Sequence, residues 1–336
     1  MEQEAMLWEP LGNTKVKCSL CARRCKIGEG KRGFCKVREN KEGKLYTLNY
    51  GLASSVASDP IEKKPLFHFY PDTNVFSLGT VSCNFRCLHC QNYSISQTLL
   101  EDAKGYLREY PPEMAVRLAK QYGCSGIAWT YNEPTIWFEY TYDSAKLAKQ
   151  NGLYTVYVTN GYFTEEALDT IAPYLDAMNI DIKSFREDSY KELASAKLQP
   201  VLESVERAVA KGLHVELTYL VIPGRNDGDE ELREFVDWAA GVDVDMPVHF
   251  SRFHPDYKLL HLSPTPIETL EKARDLGLEK LHHVYLGNVV GHNGENTYCY
   301  NCGELLIPRG GFIVRQMNLT KENKCPACSA RIRIIR

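Results

Sequence analysis

The sequence predicts an α/β fold: a partial (β/α)6, TIM-like barrel with a small cysteine-rich, metal-binding module at each end of the chain. Three observations lead to this prediction. From residue 73 to about residue 290, strand-like and helix-like patterns alternate, which is typical of βαβ units around a parallel sheet. Polar motifs follow the strand-like segments, where α/β barrels place their chemistry. Eleven of the twelve cysteines fall into three clusters, at 18–35, 83–90 and 299–328.

The individual elements follow from periodicity and from helix start and stop signals. In residues 164–175, Thr164 is a suitable N-cap, glutamates occupy the first turn and apolar residues then recur on one face. In the same way, Pro200 predicts the start of a helix that Gly212 ends. The predicted strands are 74–79, 126–130, 154–159, 178–182, 214–222, 247–252 and 283–287. The predicted helices are 112–122, 135–150, 164–175, 200–211, 229–240 and 265–276.

The composition limits the kind of protein. A chain of 336 residues with 44% hydrophobic residues fits one barrel with appendages. Its net charge of −3 indicates no general attraction to nucleic acid or anionic membranes. No apolar run is long enough to span a bilayer, and the acidic N-terminus does not resemble a signal peptide, so we expect a cytoplasmic protein. The predicted division is an N-terminal module (1–45), a linker (46–72), the barrel (73–292) and a C-terminal module (293–336).

The central cysteine cluster follows an apolar run at 75–78 that predicts a buried strand. Cys83, Cys87 and Cys90 have C-x₃-C-x₂-C spacing with no fourth cysteine nearby. A structural zinc site needs four ligands, whereas a cubane iron–sulfur cluster held by three thiolates keeps one iron open to an outside ligand. The spacing therefore favours an iron–sulfur cluster, and a zinc site completed by a distant ligand is the alternative.

The two terminal clusters each contain four cysteines, which permits a closed metal site. The N-terminal set is Cys18, Cys21, Cys25 and Cys35, and its spacing fits either zinc or a second iron–sulfur cluster. The C-terminal set is Cys299, Cys302, Cys325 and Cys328, two C-x₂-C pairs that predict a zinc ribbon, with a rubredoxin-like iron site as the alternative.

Two remaining features near these clusters are interpreted structurally. The remaining cysteine, Cys124, is interpreted as an inert buried thiol. The basic tail at 331–336 predicts a short edge strand with its arginines outward. No aromatic platform for nucleic acid accompanies this tail.

The motif around Cys83, Cys87 and Cys90, with Phe85 two residues after the first cysteine, resembles the signature of the radical S-adenosylmethionine (radical SAM) superfamily. In that superfamily the open iron is chelated by the amino and carboxylate groups of S-adenosylmethionine, and one electron cleaves the sulfonium to release a 5′-deoxyadenosyl radical. With the terminal cysteines, Asp59-Pro-Ile-Glu-Lys-Lys-Pro65 and Tyr131-Asn-Glu-Pro134, the chain resembles the radical SAM member of the AmmeMemoRadiSam system. That group is similar to pyruvate formate-lyase activating enzyme.

The resemblance assigns cofactor-binding roles to residues at the predicted strand ends. Glu133 matches the acidic residue of the superfamily's Gly-Gly-Glu-Pro motif, which receives the amino group of S-adenosylmethionine, while Tyr131 and Asn132 replace the two glycines. A helix-start cap is the alternative for Glu133. The other candidate cofactor-binding residues are Phe85, Asn160, Asp181, Lys183 and His254.

These candidates also have ordinary alternatives. Asp181 and Lys183 would hold the cofactor or orient substrate, and a plain strand-end ion pair is equally compatible with the sequence. His254 resembles a ribose-contacting histidine of the activating enzymes, and a structural histidine is the alternative. Asn160 lies in what would otherwise be an ordinary turn after a strand.

The predicted function is that of a radical SAM enzyme with activating-enzyme-like chemistry. It would abstract hydrogen from an unidentified substrate, a glycine of a partner protein being one option and a small molecule or peptide another. The resemblance implies an electron donor such as ferredoxin or flavodoxin, and Memo-like and AMMECR-like partners. A non-catalytic multi-zinc module that recruits a partner or RNA is the alternative from a different class, and an electron carrier or methyltransferase-like variant is a third possibility.

Overall fold

The computed structural model describes residues 2–336, which form short strands at both ends of the chain and an alternating α/β region between them. In chain order the strands are β1 (Gln3–Glu4), β2 (Trp8–Gly12), β3 (Lys15–Cys18), β4 (Lys26–Ile27), β5 (Arg38–Lys41), β6 (Lys44–Thr47), β7 (Leu52–Ala53), β8 (Ser55–Pro60), β9 (Asn74–Gly79), β10 (Arg108–Glu109), β11 (Gly126–Trp129), β12 (Tyr154–Thr159), β13 (Ala177–Ile182), β14 (His214–Val221), β15 (Val248–Arg252), β16 (Val284–Gly287), β17 (Thr297–Tyr298), β18 (Leu305–Ile307), β19 (Arg309–Gly310) and β20 (Ile313–Val314). The α-helices are α1 (Tyr93–Ser96), α2 (Leu100–Ala103), α3 (Pro112–Gln121), α4 (Phe138–Gln150), α5 (Glu165–Ile171), α6 (Glu187–Ala194), α7 (Gln199–Ala210), α8 (Asp229–Val242) and α9 (Ile267–Leu278).

The central sheet has the strand order β16-β15-β14-β13-β12-β11-β9-β8. Strand β8 is antiparallel to β9, and the other neighbours are parallel. Parallel neighbours require crossover connections, and helices α3, α4, α5, α7, α8 and α9 supply them. Among the described strands, β16 and β8 end the sheet without pairing with each other. The predicted partial (β/α)6 barrel is therefore confirmed.

Each predicted strand and helix of the barrel is present within a few residues of its predicted bounds. Thr164 caps α5 as predicted, because its hydroxyl accepts a 3.2 Å hydrogen bond from the amide of Ala167. The helix ends earlier than predicted, at Ile171, and continues as a 3₁₀ turn at Ala172–Tyr174. Pro173 lies in that turn and has no N–H with which to extend an α-helix.

Residues 46–72, predicted as a linker, contribute strand β8 to the central sheet. Ser55 pairs with Gly79 and Pro60 with Asn74, so β8 runs along the whole of β9. The following segment then crosses the N-terminal ends of the barrel strands, where the carboxylate of Glu216 accepts hydrogen bonds from the amides of Phe67 at 2.9 Å and His68 at 2.7 Å. The division of the chain into modules stays a prediction, but this segment is part of the barrel.

The C-terminal module packs around its own apolar cluster, which includes Leu306, Ile307, Ile332 and Ile334. The predicted alternation of the tail is present, since Ile332 and Ile334 are buried while the arginines around them are exposed. The predicted edge strand is replaced by isolated β-bridges, one of which joins Phe69 to Ile335. Within residues 2–336, no helix combines enough length and apolar character to cross a bilayer.

Candidate active site

The cysteine loop, residues 80–92, leaves the sheet where β9 ends at Gly79. A Cβ atom at Gly79 would lie 2.8 Å from the carbonyl oxygen of Thr130 and 2.9 Å from the ring of Tyr131, so the close approach of the next βα turn requires glycine here. Helix α6, which the sequence analysis did not predict, holds the far side of the loop. The amides of Arg86 and Leu88 donate to the carbonyl oxygens of Ala194 at 3.1 Å and Leu193 at 2.8 Å.

Cys83, Cys87 and Cys90 all line one cavity of about 200 Å³ at the C-terminal ends of the barrel strands. Cys83 and Cys87 are buried and Cys90 is half-buried. Burial raises the pKa of the Cys83 thiol well above its usual value and that of Cys87 to about 12. A coordinated metal would remove these protons, because a ligating thiol is deprotonated by the ion it binds.

The donor set fits a cubane iron–sulfur cluster with one open iron. One loop presents three thiols to the cavity, and the remaining lining supplies amide, hydroxyl, carboxylate and ammonium groups rather than further thiols, within the described residues. A ligand with an amino group, a carboxylate and hydroxyls, as S-adenosylmethionine has, would find partners there. The polar residues from the strand ends are Asn132, Asn160, Asp181, Lys183, Thr218 and Ser251.

Asp181 and Lys183 form an ion pair with 2.8 Å between carboxylate and ammonium, and both line the cavity. Burial by itself would lower the pKa of Lys183, but the Asp181 carboxylate and the neighbouring cysteines raise it above its usual value. The ammonium group is therefore charged at any physiological pH. Asp181 and Lys183 therefore form the ion pair that one interpretation predicted, and they also lie at the site, as the other interpretation predicted. Their role toward the cofactor stays a prediction.

Phe85 and Asn160 lie beside Cys83. The Phe85 amide donates to the Cys83 sulfur at 3.3 Å, and its ring packs edge-on against Tyr162. The Asn160 side-chain nitrogen lies 3.8 Å from the same sulfur and 2.8 Å from the side-chain oxygen of Asn84. Both predicted residues line the cavity, where they surround one cysteine.

Glu133 lies behind the cavity wall rather than in the lining. Its carboxylate accepts hydrogen bonds from the amides of Thr135 at 2.9 Å and Asn160 at 2.8 Å, and from the hydroxyls of Thr135 and Thr159. It therefore caps the 3₁₀ turn Pro134–Trp137, and the alternative helix-start interpretation describes these contacts. In this arrangement Glu133 positions Asn160, and its contact with the cofactor's amino group stays a prediction.

Tyr131 and Asn132 take over the turn that glycines form in the superfamily motif. Tyr131 has a φ of 74°, a conformation that favours glycine. Its hydroxyl donates to Asp59 at 2.7 Å, which anchors the residue. The Asn132 side chain donates to the carbonyl oxygen of Ser82 at 2.8 Å and accepts from the Thr80 amide, so this turn is bonded to the cysteine loop.

His254 is exposed and is not among the residues that line the cavity, so its contact with the cofactor stays a prediction. The preceding residue, Phe253, is fully buried in an apolar cluster with Leu193, Ile222 and Leu259. Ser251 lines the cavity at the end of β15 instead.

His89 is a site residue that the sequence analysis missed, although it lies between Cys87 and Cys90. The side chain is buried and lines the cavity, and among the described residues neither ring nitrogen has a hydrogen-bond partner. Burial, together with the charge of Lys183, lowers the pKa of the imidazole to about 3. A neutral imidazole there offers one donor and one acceptor to a bound group.

The terminal cysteine sets are also assembled. The sulfur atoms of Cys299, Cys302, Cys325 and Cys328 all lie within 4.8 Å of one another, a four-thiol set for one metal ion. Cys18, Cys21, Cys25 and Cys35 line a second, enclosed cavity near the cysteine loop. The predicted inert thiol, Cys124, is buried beside the hydroxyl of Ser58 at 3.3 Å.

Comparison with known proteins relates the central part of the chain to a known superfamily. The radical SAM superfamily profile matches residues 78–238. An uncharacterized protein of Methanocaldococcus jannaschii is 50% identical over 336 residues, covering 99% of each chain. Pyruvate formate-lyase 1-activating enzyme of Escherichia coli is 24% identical over 220 residues, 60% of this chain and 87% of the relative. A solved radical SAM methyltransferase from Sphaerobacter thermophilus shares the fold, with a TM-score of 0.50 and 16% identity over 68% of this chain and 71% of the other. Residues 78–238, about half of this chain, therefore match a radical SAM domain.

Proposed function

We propose that this protein is a radical SAM enzyme that cleaves S-adenosylmethionine reductively and abstracts a hydrogen atom from its substrate. The observation that carries the proposal is the convergence of three thiols from one loop on a polar cavity at the C-terminal ends of the strands. Within the family, a bound 4Fe–4S cluster and S-adenosylmethionine supply a 5′-deoxyadenosyl radical; the protein supplies binding, orientation and shielding.

The residues of the cavity divide this work. Cys83, Cys87 and Cys90 would hold the cluster, and the neutral imidazole of His89 would donate a hydrogen bond to the bound S-adenosylmethionine. The Lys183 ammonium is suited to a carboxylate and Asp181 to an ammonium or a hydroxyl, so the pair can orient a zwitterionic ligand. Two of the three thiols, Cys83 and Cys87, are largely shielded from bulk solvent because they are buried.

The substrate class is proposed from the similarity to an activating enzyme. The similarity to an activating enzyme favours hydrogen abstraction from a glycine of a partner protein, and modification of a small molecule or peptide is the second option. An electron donor such as ferredoxin or flavodoxin would reduce the cluster. Memo-like and AMMECR-like proteins are proposed as associates, which co-purification from the native host would test.

The C-terminal site is proposed to hold zinc. A zinc–sulfur bond of about 2.3 Å in a tetrahedral site places the sulfurs about 3.8 Å apart. The pairs Cys299–Cys328 and Cys302–Cys325 are 3.5 Å and 3.7 Å apart, which supports a single ion of that size. We place the protein in the cytoplasm, where thiols such as these stay reduced.

The proposal is tested on protein reconstituted anaerobically with iron and sulfide and then reduced. We expect S-adenosylmethionine to shift the electron paramagnetic resonance (EPR) signal of the cluster and to yield 5′-deoxyadenosine. Cys83→Ala should abolish both effects, and Cys124→Ala, which removes a buried thiol outside the cavity, should leave both intact. If S-adenosylmethionine does not change the EPR spectrum of an iron-loaded, reduced sample, the proposal is refuted. A colourless protein that contains three zinc ions would instead favour the multi-zinc binding module.

A further inference from the structure

The N-terminal cysteine module lies directly against the cysteine loop of the candidate active site. The hydroxyl of Ser82 donates to the carbonyl oxygen of Cys35. Arg86 donates to the carbonyl oxygen of Phe34 at 2.8 Å, and Arg23 donates to that of Asn84 at 2.7 Å. Ser82 directly precedes Cys83, so this hydrogen bond joins the backbone of Cys35, in the N-terminal set, to the neighbour of Cys83 in the cysteine loop.

The four N-terminal cysteines face an enclosed void. Cys18, Cys21, Cys25 and Cys35 line this void of about 10 Å³ together with apolar side chains, Arg38 and Asn84, and it has room for about one water molecule. A zinc ion would draw four sulfurs to within about 3.8 Å of one another. A cubane cluster separates its ligand sulfurs more widely, because each thiolate binds a different iron.

The C-terminal site provides an internal comparison. Among the residues that the structure describes, the C-terminal four form a set of sulfurs all within 4.8 Å, and the N-terminal four do not. The two sites have the same number of cysteines and different spacings between their sulfurs. The N-terminal site, with its wider sulfur spacing, therefore fits a larger group than the C-terminal site does.

Two buried donors at the N-terminal void lack a protein acceptor. The side-chain nitrogen of Asn84 and the Nε atom of Arg38 are both buried without a hydrogen-bond partner among the described residues, and both side chains line the void. Buried donors without acceptors are rare and costly in native proteins. Arg38 also donates to the Cys18 sulfur at 3.4 Å, so its guanidinium already faces the thiols. Thiolates and inorganic sulfides of a cluster would accept these hydrogen bonds.

We propose that Cys18, Cys21, Cys25 and Cys35 bind a second iron–sulfur cluster that passes electrons to the cluster held by Cys83, Cys87 and Cys90. The relay, though not the site itself, rests on the proposed function. A one-electron, low-potential protein donor reduces the N-terminal cluster and is itself oxidised. The same electron then moves to the neighbouring cluster, and neither transfer makes or breaks a covalent bond.

Acid-labile sulfide tests the site, because zinc and rubredoxin-type iron bring no sulfide. The full chain is reconstituted anaerobically as native protein, as the triple variant Cys83→Ala/Cys87→Ala/Cys90→Ala and as the double variant Cys21→Ala/Cys25→Ala. Two cubane clusters predict about eight sulfides in the native protein and about four in each variant. In the triple variant, the N-terminal cluster should still give an EPR signal when reduced, and S-adenosylmethionine should not shift that signal. This measurement remains valid even if the double variant fails to fold.

The outcomes separate this inference from the proposed function. A triple variant without sulfide, containing zinc at its N-terminal cysteines, overturns the second cluster and leaves the first untouched. Eight sulfides with no response to S-adenosylmethionine would instead refute the proposed function and keep the site. For the relay, we expect reduced flavodoxin to reduce the remaining cluster of the double variant at least tenfold more slowly than in the native protein, whereas dithionite reduces both equally. Equal rates with flavodoxin would overturn the relay.

Discussion

The turn at Tyr131 depends on a buried ion pair, and replacing Asp59 by asparagine should expose that dependence. The Asp59 carboxylate accepts hydrogen bonds from Lys63 at 2.8 Å, Lys64 at 2.7 Å and the Tyr131 hydroxyl at 2.7 Å. The Lys64 ammonium is buried and lies 4.8 Å from the centre of the Tyr131 ring. Asp59→Asn therefore removes the anion that keeps the buried Lys64 charged, at a cost of about 3–5 kcal/mol in the free energy of unfolding at pH 7.

The matched control is Tyr131→Phe, which removes one hydrogen bond to the carboxylate and keeps the ion pair. A hydrogen bond to a charged group contributes about 1.5–3 kcal/mol, so the control should be the milder change. Both variants are compared with the native protein by urea unfolding of the iron-free chain, which separates folding from cluster assembly.

The dependence on pH identifies the cause. Burial lowers the pKa of Lys64 to about 8 even with Asp59 as its partner, and removing the carboxylate should lower the pKa further. Between pH 6 and 8 the folded variant would then hold a neutral lysine while the unfolded chain holds a charged one. The variant should gain about 1.4 kcal/mol of stability per pH unit in this window relative to the native protein. An Asp59→Asn variant no less stable than Tyr131→Phe, or with the native pH dependence, would refute this account.

Four further outcomes are expected. His89→Phe should keep the cluster and weaken S-adenosylmethionine binding about tenfold, since one hydrogen bond of about 1.4 kcal/mol is lost; unchanged affinity contradicts this. Burial raises the pKa of Glu62 to about 7. The protein should therefore lose about 3 kcal/mol in the free energy of unfolding between pH 4.5, the ordinary pKa of glutamate, and pH 7. In urea unfolding, Glu62→Gln should flatten this dependence on pH. Glu216→Gln should cost about 1.5–3 kcal/mol in the same assay, because the buried carboxylate accepts hydrogen bonds from two backbone amides and lies within hydrogen-bond distance of two histidine rings. A chelator that empties the Cys299 site should speed amide hydrogen exchange in residues 297–334 and spare the barrel strands; uniform exchange would contradict a separate C-terminal core.

The barrel strands could be predicted because several of the buried parallel strands are nearly continuous apolar runs, as in residues 126–129 and 284–286. Strand β8 gave no such signal, since Ser55-Val-Ala-Ser-Asp-Pro60 is largely small or polar and is defined by its pairing with β9. Helix α6 is short, and its contacts with the cysteine loop are tertiary. Local patterns therefore predict the repeating part of the fold and miss the segments that brace the site.

The site shows the same division. The spacing of Cys83, Cys87 and Cys90 identifies a shared ligand because it is a local property of one loop. The role of Glu133 could not be resolved from sequence, since the groups that saturate its carboxylate, Thr159 and Asn160, come from the next strand. The position of His254 after a strand predicts a place at the cavity, whereas the side chain is exposed and the neighbouring Phe253 is buried.

The closure of the barrel at its N-terminal end explains why the chemistry is gathered at the other end. Residues 65–69 cross that end, where Asn179 donates to the carbonyl oxygen of Pro65 at 2.9 Å and Glu216 receives two backbone amides. The C-terminal module covers the same segment, since Arg309 donates to the carbonyl oxygen of Phe67 at 2.9 Å. Several polar groups on this side are thus bonded to protein, whereas His89 at the opposite end lines the cavity with a free donor and acceptor. A substrate must therefore reach the cysteine loop from the C-terminal ends of the strands, while the N-terminal module contacts the loop from behind and leaves that path to the cavity open.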